Sequence, residues 1–116
     1  MKDNKLVEYS KDLAIQIVEL VNILKSKKEN IMSNQIGRSG TSIGANINEA
    51  QYAHSKPDFI AKLEIALKES NETSYWLELL YKSNYIDETY YKKIDSLCVK
   101  IRVMLIASCR TAKKLK

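Results

Sequence analysis

Three observations in this 116-residue sequence predict an all-α protein, an antiparallel four-helix bundle with up-down-up-down topology. Apolar side chains recur at helical spacing in four successive segments. Three glycines and one proline are too few for the turns of a many-stranded fold. The length suits one domain over 1–116, because four helices joined by short turns bury their apolar faces in one core.

The first two predicted helices are separated by the polar segment 25–30. Asp3 or Asn4 can cap the first helix, whose apolar residues are Leu6, Tyr9, Leu13, Ile17, Leu20 and Leu24. Ile15, Val18 and Val21 widen this apolar surface and indicate a second contact. The second helix is predicted near 31–53, and its core face is formed by Met32, Ile36, Ile43, Ile47 and Ala50.

The third and fourth predicted helices have clear start signals. Ser55, followed by Pro57 and Asp58, is a capping serine before a proline in the first turn, and Asp87 is the predicted cap of the fourth helix. Ser83 and Asn84 end the third helix. The predicted inward residues are Ile60, Leu63, Leu67, Ser70, Ser74, Leu77 and Tyr81 on the third helix, and Ile94, Leu97, Cys98, Ile101, Leu105 and Ser108 on the fourth.

The second helix contains residues that are unusual for a helix interior. Gly37, Gly40 and Gly44 lie at neighbouring angles, although each costs roughly 1 kcal/mol relative to alanine, which favours close packing against another helix. A polar stripe formed by Gln35, Arg38, Ser42, Asn46 and Glu49 follows another face. This stripe either faces solvent or forms a hydrogen-bonded contact with a helix or another subunit, so these residues and the three glycines are candidate packing residues.

The formal net charge of +5 comes mainly from the last quarter of the chain. Residues 87–116 contain eight Lys/Arg and three Asp/Glu, and a basic stripe is predicted opposite the apolar seam: Lys92, Lys93, Lys100, Arg110 and Lys114. Such a stripe suits contacts to the phosphates of nucleic acid, or is the solvated side of the bundle that Asp95 interrupts. Arg38 either adds to this basic surface or forms an ion pair with a partner helix.

The residue inventory argues against an enzyme. His54 is the single histidine and lies just before the third helix, so the Glu-x-x-His pairs of a di-metal bundle are missing. We interpret the acids of the third helix as solvated: Glu64, Glu69, Glu72 and Glu78. We expect no metal, no cofactor and no nucleophilic catalysis. No apolar run is long enough to span a membrane, and Cys98 and Cys109 are expected to be buried thiols, so we expect a cytoplasmic protein.

The segment from Gln35 to Ala50 closely resembles the signature of a family of bacterial four-helix-bundle proteins. This family includes proteins encoded in intervening sequences of large-subunit ribosomal RNA genes. The match rests on Arg38-Ser39, Ser42-Ile43, Ala45-Asn46-Ile47 and Glu49, and continues through Asp58-Phe59, Leu63, Ile65-Ala66, the segment 72–77 and Tyr85-Ile86. The resemblance covers nearly the whole chain. Glu69 and Ala50 stand where many relatives have glycine, which is typical of a divergent subgroup.

This resemblance implies a homopentamer of four-helix bundles. A similar bundle, the accessory variability determinant of diversity-generating retroelements, binds nucleic acid and a reverse transcriptase. We therefore expect a non-enzymatic oligomeric adaptor that binds RNA or DNA weakly and independently of sequence, or presents it to a protein partner. The alternative is a structural or protein-protein interaction module, scaffold-like or antitoxin-like, with no role in nucleic-acid binding.

Overall fold

The computed structural model describes residues 4–115, which form four α-helices in an elongated bundle of 50 × 21 × 21 Å. The helices are α1 (Lys5–Ser26), α2 (Ile31–Ala50), α3 (Lys56–Lys82) and α4 (Glu88–Lys114). Each helix contacts the next one in sequence, and α4 also contacts α1. This arrangement confirms the predicted all-α, up-down-up-down bundle. The extent of the domain over 1–116 stays a prediction, because 1–3 and 116 lie outside the described residues.

Two of the predicted caps start their helices as expected. The Ser55 hydroxyl accepts a hydrogen bond from the backbone N–H of Asp58 at 3.2 Å, and the Asp87 carboxylate accepts one from Tyr90 at 2.8 Å. At the start of α1, Asn4 occupies the cap position without a capping hydrogen bond from its side chain. The alternative cap, Asp3, lies outside the described residues.

The start of α2 is stabilised by Glu29, which lies in the polar segment 25–30 between the first two predicted helices. Its buried carboxylate accepts hydrogen bonds from the backbone N–H groups of Ile31, Met32 and Ser33 at 3.2, 3.1 and 2.8 Å. Three donors that the helix itself leaves unpaired are thereby satisfied. At its other end α2 stops at Ala50, before the predicted limit of 53, because residues 51–53 form a turn.

One core runs along the bundle, and its α3 face differs from the predicted one. The buried α3 residues are Leu63, Ala66, Ser70, Thr73, Leu77 and Leu80. The predicted Ile60, Leu67, Ser74 and Tyr81 are only partly buried. The buried face is rotated toward α2, because α3 packs extensively against that helix as well as against α4. On α4, Cys109 and Ala112 are buried, whereas Leu97 and Ser108 are partly exposed, and Met32 on α2 is also partly exposed.

The three glycines of α2 lie at its contact with α1. A Cβ atom on Gly40 would lie 2.7 Å from Cγ1 of Ile17, and one on Gly37 would lie 3.2 Å from Cγ2 of Val21. At Gly44 the nearest atoms would be the carbonyl and hydroxyl oxygens of Ser10, both at 3.3 Å. The glycines therefore let the α1 side chains approach the α2 backbone closely.

Candidate nucleic-acid and assembly surfaces

The outer side of α4 presents the five basic residues that the sequence singled out. All of these side chains are exposed: Lys92, Lys93, Lys100, Arg110 and Lys114. They lie on a helix of 27 residues, which spans about 40 Å at ~1.5 Å per residue. The charges are therefore spread along most of the length of the bundle.

These five side chains differ in how far their charge is compensated. Lys92 forms an ion pair with Glu88 at 2.8 Å, and hydrogen bonding to that carboxylate raises the pKa of Lys92. The ammonium of Lys100 lies 4.3 Å from the centre of the Tyr9 ring, on the side of α4 that faces α1. Among the described residues, Lys93, Arg110 and Lys114 form no ion pair within 4 Å. Their charge remains available to an anionic partner.

Asp95 does not interrupt this basic stripe, contrary to the expectation from the sequence. Its side chain is partly buried and accepts a hydrogen bond from the hydroxyl of Ser74 at 2.7 Å. Asp95 therefore points to the α3 side of α4. The outer side of that helix keeps its positive charge.

Arg102 has a structural role that the sequence does not reveal, because an arginine in a basic segment indicates only a positive charge. Its guanidinium donates to the carbonyl oxygen of Ser70 at 2.8 Å, to the Ser70 hydroxyl at 3.2 Å, and to the Ser74 hydroxyl. Buried Cys98 lies at the edge of this network, 3.7 Å from Arg102. Arg102 therefore joins α4 to α3 and does not contribute to the outer basic stripe.

The outer side of α4 is also more apolar than predicted. Val99, Val103 and Ile106 are exposed, Val103 to 60%. Their spacing of four and three residues places them on one stripe, which leans toward α3. Arg110 borders this stripe toward the C-terminus, so the surface combines apolar contact area with positive charge.

Arg38 lies on a different part of the molecule. Its guanidinium pairs with two α3 carboxylates, with Glu69 at 3.1 Å and with Glu72 at shorter range, although 51% of the side chain stays exposed. Hydrogen bonding to Glu72 raises the pKa of Arg38. Because α2 and α4 occupy opposite corners of the bundle, with no Cα atoms within 8 Å of each other, the structure does not bring Arg38 together with the basic stripe.

The acids facing Arg38 are structural, so their interpretation as solvated side chains was wrong. Glu72 also accepts a hydrogen bond from the indole N–H of Trp76 at 3.0 Å. The pKa of Glu72 is lowered, first by this hydrogen bond and then by the one from Arg38. Further along the bundle, Glu64 pairs with Lys113 at 2.7 Å, and Glu78 pairs with a lysine one turn later.

The remaining polar stripe of α2 makes few contacts outside its own helix. The Asn46 amide donates to the carbonyl oxygen of Ser42 at 2.9 Å, while Gln35 is partly buried and Glu49 is exposed. A buried polar contact to α3 lies beside the stripe, where the hydroxyls of Ser39 and Thr73 are 3.0 Å apart. This pair is not predictable from the sequence, because a serine and a threonine in separate helices give no pairing signal.

The outer side of α1 carries a second exposed apolar surface at Ile15 and Val18, two of the three residues that widened its seam. The third, Val21, is partly buried and lies at the contact with Gly37 of α2. Ile15 and Val18 are 61% and 51% exposed and line a shallow groove of about 280 Å³ with Ala14 and Glu19. Glu8, Asp12 and Glu19 are exposed on the same outer side of the helix. Lys11 is also exposed and lies one turn before Ile15, so the α1 surface combines apolar area with charges of both signs.

Other candidate chemistry is limited in the part of the chain that the structure describes. Residues 4–115 contain no group of three or more His, Cys, Asp or Glu that could hold a metal ion. Cys98 and Cys109 are buried free thiols, and burial raises the pKa of both. The rings of Tyr81 and Tyr91 stack in parallel with centroids 5.0 Å apart, so they pack α3 against α4. None of the described helices has the length and apolar character needed to cross a membrane.

These features define a small four-helix bundle whose distinctive surfaces lie on the outer sides of two neighbouring helices, α1 and α4. The chain belongs to the family of 23S rRNA-intervening sequence proteins, whose model matches residues 2–107. This assignment confirms the resemblance found in the segment from Gln35 to Ala50.

One solved relative is a protein of unknown function of the S23 ribosomal protein family from Bacteroides thetaiotaomicron. It is 50% identical to this chain and superimposes with a TM-score of 0.88. The alignment covers 90% of this chain and 97% of the relative. Among the curated proteins compared with the chain, none matches it. The family and this relative indicate no catalytic class.

Proposed function

We propose that this chain is a non-enzymatic, self-associating adaptor that binds single-stranded nucleic acid weakly and without sequence preference through α4. The observation that carries the proposal is the row of exposed cations on this helix, four of which form no ion pair among the described residues. Lys93 and Lys100 are seven residues apart and lie on the side of α4 next to α1. They are the most direct candidates for phosphate contacts.

The arrangement of these cations suits phosphate contacts better than base readout. Binding through phosphates releases counterions, so the affinity falls steeply with salt. With about three contacts to a single strand, the slope of log K against log salt is expected near −2, from roughly −0.7 per contact. One copy alone binds weakly, whereas several copies in one assembly add their contacts along the same strand.

The proposal is tested by fluorescence anisotropy of a labelled single-stranded RNA at low and moderate salt. The test variant is Lys93→Glu/Lys100→Glu, and the matched control is Lys68→Glu/Lys82→Glu, which changes the net charge equally on α3. We expect the α4 variant to lose at least tenfold in affinity at low salt, and the control to lose much less. Equal losses in both variants, or no RNA binding by the unmodified protein at low salt, would overturn the proposal.

The second candidate function is a protein-protein interaction module with no role in nucleic-acid binding. It is favoured by the apolar residues exposed beside the charges, Val103 and Ile106 on α4 and Ile15 and Val18 on α1. Exposed apolar area of this kind is a feature of contact surfaces between proteins. Tight association with one protein partner, together with no salt-sensitive RNA retention, would favour this candidate over the first.

A further inference from the structure

We infer that a groove at the C-terminal end of α4 binds one unpaired base of the single strand that the lysines of this helix hold. The groove has a volume of about 340 Å³ and lies between the end of α4 and the start of α3. It is lined by Phe59, Ala107, Ser108, Thr111, Ala112 and Leu115. This inference rests on the proposed nucleic-acid binding, and it adds a contact to a base to the contacts with phosphates.

The lining and size of the groove suit the flat face of a base. The ring of Phe59 is partly buried against the core, Ala112 is buried, and Leu115 is exposed just past the end of α4. Unpaired bases stack on aromatic side chains, and the stacking tolerates any sequence because every base has a π-face. The volume lies at the lower end of the range for small-molecule sites, about 300–1,000 Å³, which favours one base over a larger ligand.

Two hydroxyl groups add hydrogen-bonding capacity to the apolar lining. Ser108 is partly buried and Thr111 is exposed, and neither hydroxyl forms a hydrogen bond among the described residues. Earlier in the same helix, by contrast, the Ser96 hydroxyl donates to the carbonyl oxygen of Lys93 at 3.1 Å. A hydroxyl can donate one hydrogen bond and accept others, so it can pair with a donor or an acceptor on the edge of any base. The groove therefore offers hydrogen bonds without requiring a particular sequence.

A regular row of positions leads along α4 and across the groove. Its members follow one another at intervals of seven residues, or about 10.5 Å at ~1.5 Å per residue: Lys93, Lys100, Ala107 and Lys114. Positions seven apart lie on nearly the same side of a helix, because two turns take about 7.2 residues. The uncharged member, Ala107, lines the groove. A strand held by Lys100 on one side and Lys114 on the other therefore passes over the groove.

The charges of α4 around the groove favour an occupant that belongs to a polyanion. This helix contains no Asp or Glu after Asp95. Arg110 and Lys114 lie one and three positions from Thr111, and neither forms an ion pair in the described part of the chain. A base that is attached to a phosphate backbone therefore meets a complementary field, whereas a neutral occupant gains nothing from it.

The acids of the neighbouring helices leave this end of α4 positive. Glu64 of α3 is paired with Lys113 at 2.7 Å, and Asp58, beside Phe59, is partly buried. Tyr9 of α1 contacts Lys100 of the antiparallel α4, so the acids of α1 lie beside positions that precede the groove. These acids are Glu8, Asp12 and Glu19. Their repulsion acts on the phosphate contacts made earlier in the row.

An abasic strand tests the base contact separately from the phosphate contacts. Two short DNA strands of equal length, one complete and one without bases, carry the same phosphates and compete against a labelled single-stranded RNA. We expect the complete strand to bind about fivefold more tightly or better at low salt, because stacking of one base on an aromatic ring contributes on the order of 5- to 100-fold. The affinities of both strands should depend on salt equally, since their phosphate contacts are the same. Equal affinities of the two strands would overturn the inference.

Substitution of the ring assigns the base contact to this groove. Phe59→Leu keeps an apolar side chain against the core, and we expect it to weaken binding of the complete strand about fivefold or more while binding of the abasic strand is unchanged. The matched control is Tyr75→Leu, which removes an exposed aromatic ring from the same helix without changing the charge. This control is expected to bind both strands as the unmodified chain does. Equal losses in the two variants would overturn the inference.

A hydroxyl substitution tests the groove without altering the core. Thr111→Val is expected to weaken binding of the complete strand by roughly two- to tenfold, the range for one lost hydrogen bond. Thr89→Val, at an exposed position near the start of α4, is the matched control and is expected to have no effect. The chain carrying both Phe59→Leu and Thr111→Val should bind the complete and abasic strands with nearly equal affinity. If Phe59→Leu does not fold, as judged by circular dichroism, an unchanged affinity in Thr111→Val overturns the inference.

The outcomes also separate this inference from the proposed function. If the unmodified chain binds neither strand at low salt, both fail. If it binds the two strands equally and Lys93→Glu/Lys100→Glu abolishes that binding, the phosphate contacts stand and the base contact fails. A preference for the complete strand that survives both groove substitutions would place the base contact elsewhere. The groove would then belong to another occupant, such as an apolar segment of a protein partner, and the inference would be overturned.

Discussion

The backbone of α2 approaches α1 most closely where Gly40 meets Ile17. A Cβ atom at Gly40 would lie 2.7 Å from Cγ1 and 2.9 Å from Cγ2 of the isoleucine, and Ile17 is fully buried. These two Ile17 carbons are bonded directly to its Cβ, so a small rotation of the side chain does not clear them. The contact therefore explains why a residue that weakens helices is placed in the middle of α2.

Gly40→Ala is expected to destabilise the bundle. Overpacking against Ile17 outweighs the gain in helix propensity of roughly 1 kcal/mol, for a net loss of about 1–2 kcal/mol in the free energy of unfolding. Gly37→Ala is the matched control, because its new methyl group would meet only Cγ2 of partly buried Val21 at 3.2 Å. Urea unfolding followed by circular dichroism measures both variants. Equal stabilities of the two variants would contradict the close contact at Gly40.

The buried hydroxyl pair of Ser39 and Thr73 is expected to show strong coupling. Thr73 Oγ1 also lies 2.9 Å from the carbonyl oxygen of Glu69, and one hydroxyl carries one proton. We therefore assign Ser39 as the donor to Thr73, and Thr73 as the donor to Glu69. Thr73→Val is expected to cost about 1–3 kcal/mol, because it leaves the Ser39 hydroxyl buried without its partner.

Replacing both hydroxyls is expected to cost less than the sum of the two single replacements. The Ser39→Ala/Thr73→Val chain has no unsatisfied hydroxyl at this position, so a double-mutant cycle in urea unfolding should give a coupling of about 0.5–2 kcal/mol. Additive single effects would show that the two hydroxyls do not interact.

Glu72 is expected to contribute to the loss of stability in acid. Hydrogen bonds from Trp76 and Arg38 lower its folded-state pKa below the ordinary value of 4.5. The resulting stabilisation is fully present above 4.5 and is lost as the pH falls through the lower folded-state pKa. In the Glu72→Gln variant, the free energy of unfolding should therefore fall less steeply as the pH decreases below 4.5. Urea midpoints measured across the acid range test this, with Glu49→Gln as the control for losing one charge.

Arg102 is expected to tolerate substitution less well than the other arginine of its helix. Arg102→Lys keeps the positive charge but loses the fork that donates to Ser70 and Ser74, for an expected loss of about 1–3 kcal/mol. Arg110→Lys, at an exposed position of the same helix, is expected to change stability by less than about 0.5 kcal/mol. Thermal unfolding of both variants at a concentration where the chain is monomeric compares them. An Arg102→Lys variant as stable as the unmodified chain would contradict a structural role for the guanidinium hydrogen bonds to Ser70 and Ser74.

Local signals in the sequence were sufficient to predict the four helices and most of their ends. Ser55 and Asp87 are capping residues whose effect depends on the next three residues, and the seam from Leu13 to Leu24 repeats within one helix. The α3 core face was predicted less well, because Ala66 and Thr73 are small or polar and have little weight in an apolar pattern. Their burial is decided by how α3 is rotated against α2.

The candidate surfaces were predicted only in part for the same physical reason. Exposed lysines follow from helical periodicity, so the residues of the α4 stripe were found by position alone. The pairing of Arg38 with Glu69 and Glu72 joins residues more than 30 positions apart, and it depends on the packing of two helices. The exposed stripe of Val99, Val103 and Ile106 was missed because apolar helix residues are normally expected to face the core.

The most direct test of the central claim is light scattering coupled to size exclusion, with and without a short single-stranded RNA, at low and moderate salt. The proposed adaptor predicts a mass of several chains that retains RNA at low salt and releases it at moderate salt. A one-chain mass that retains no RNA at low salt would contradict both the self-association and the nucleic-acid binding proposed for this bundle.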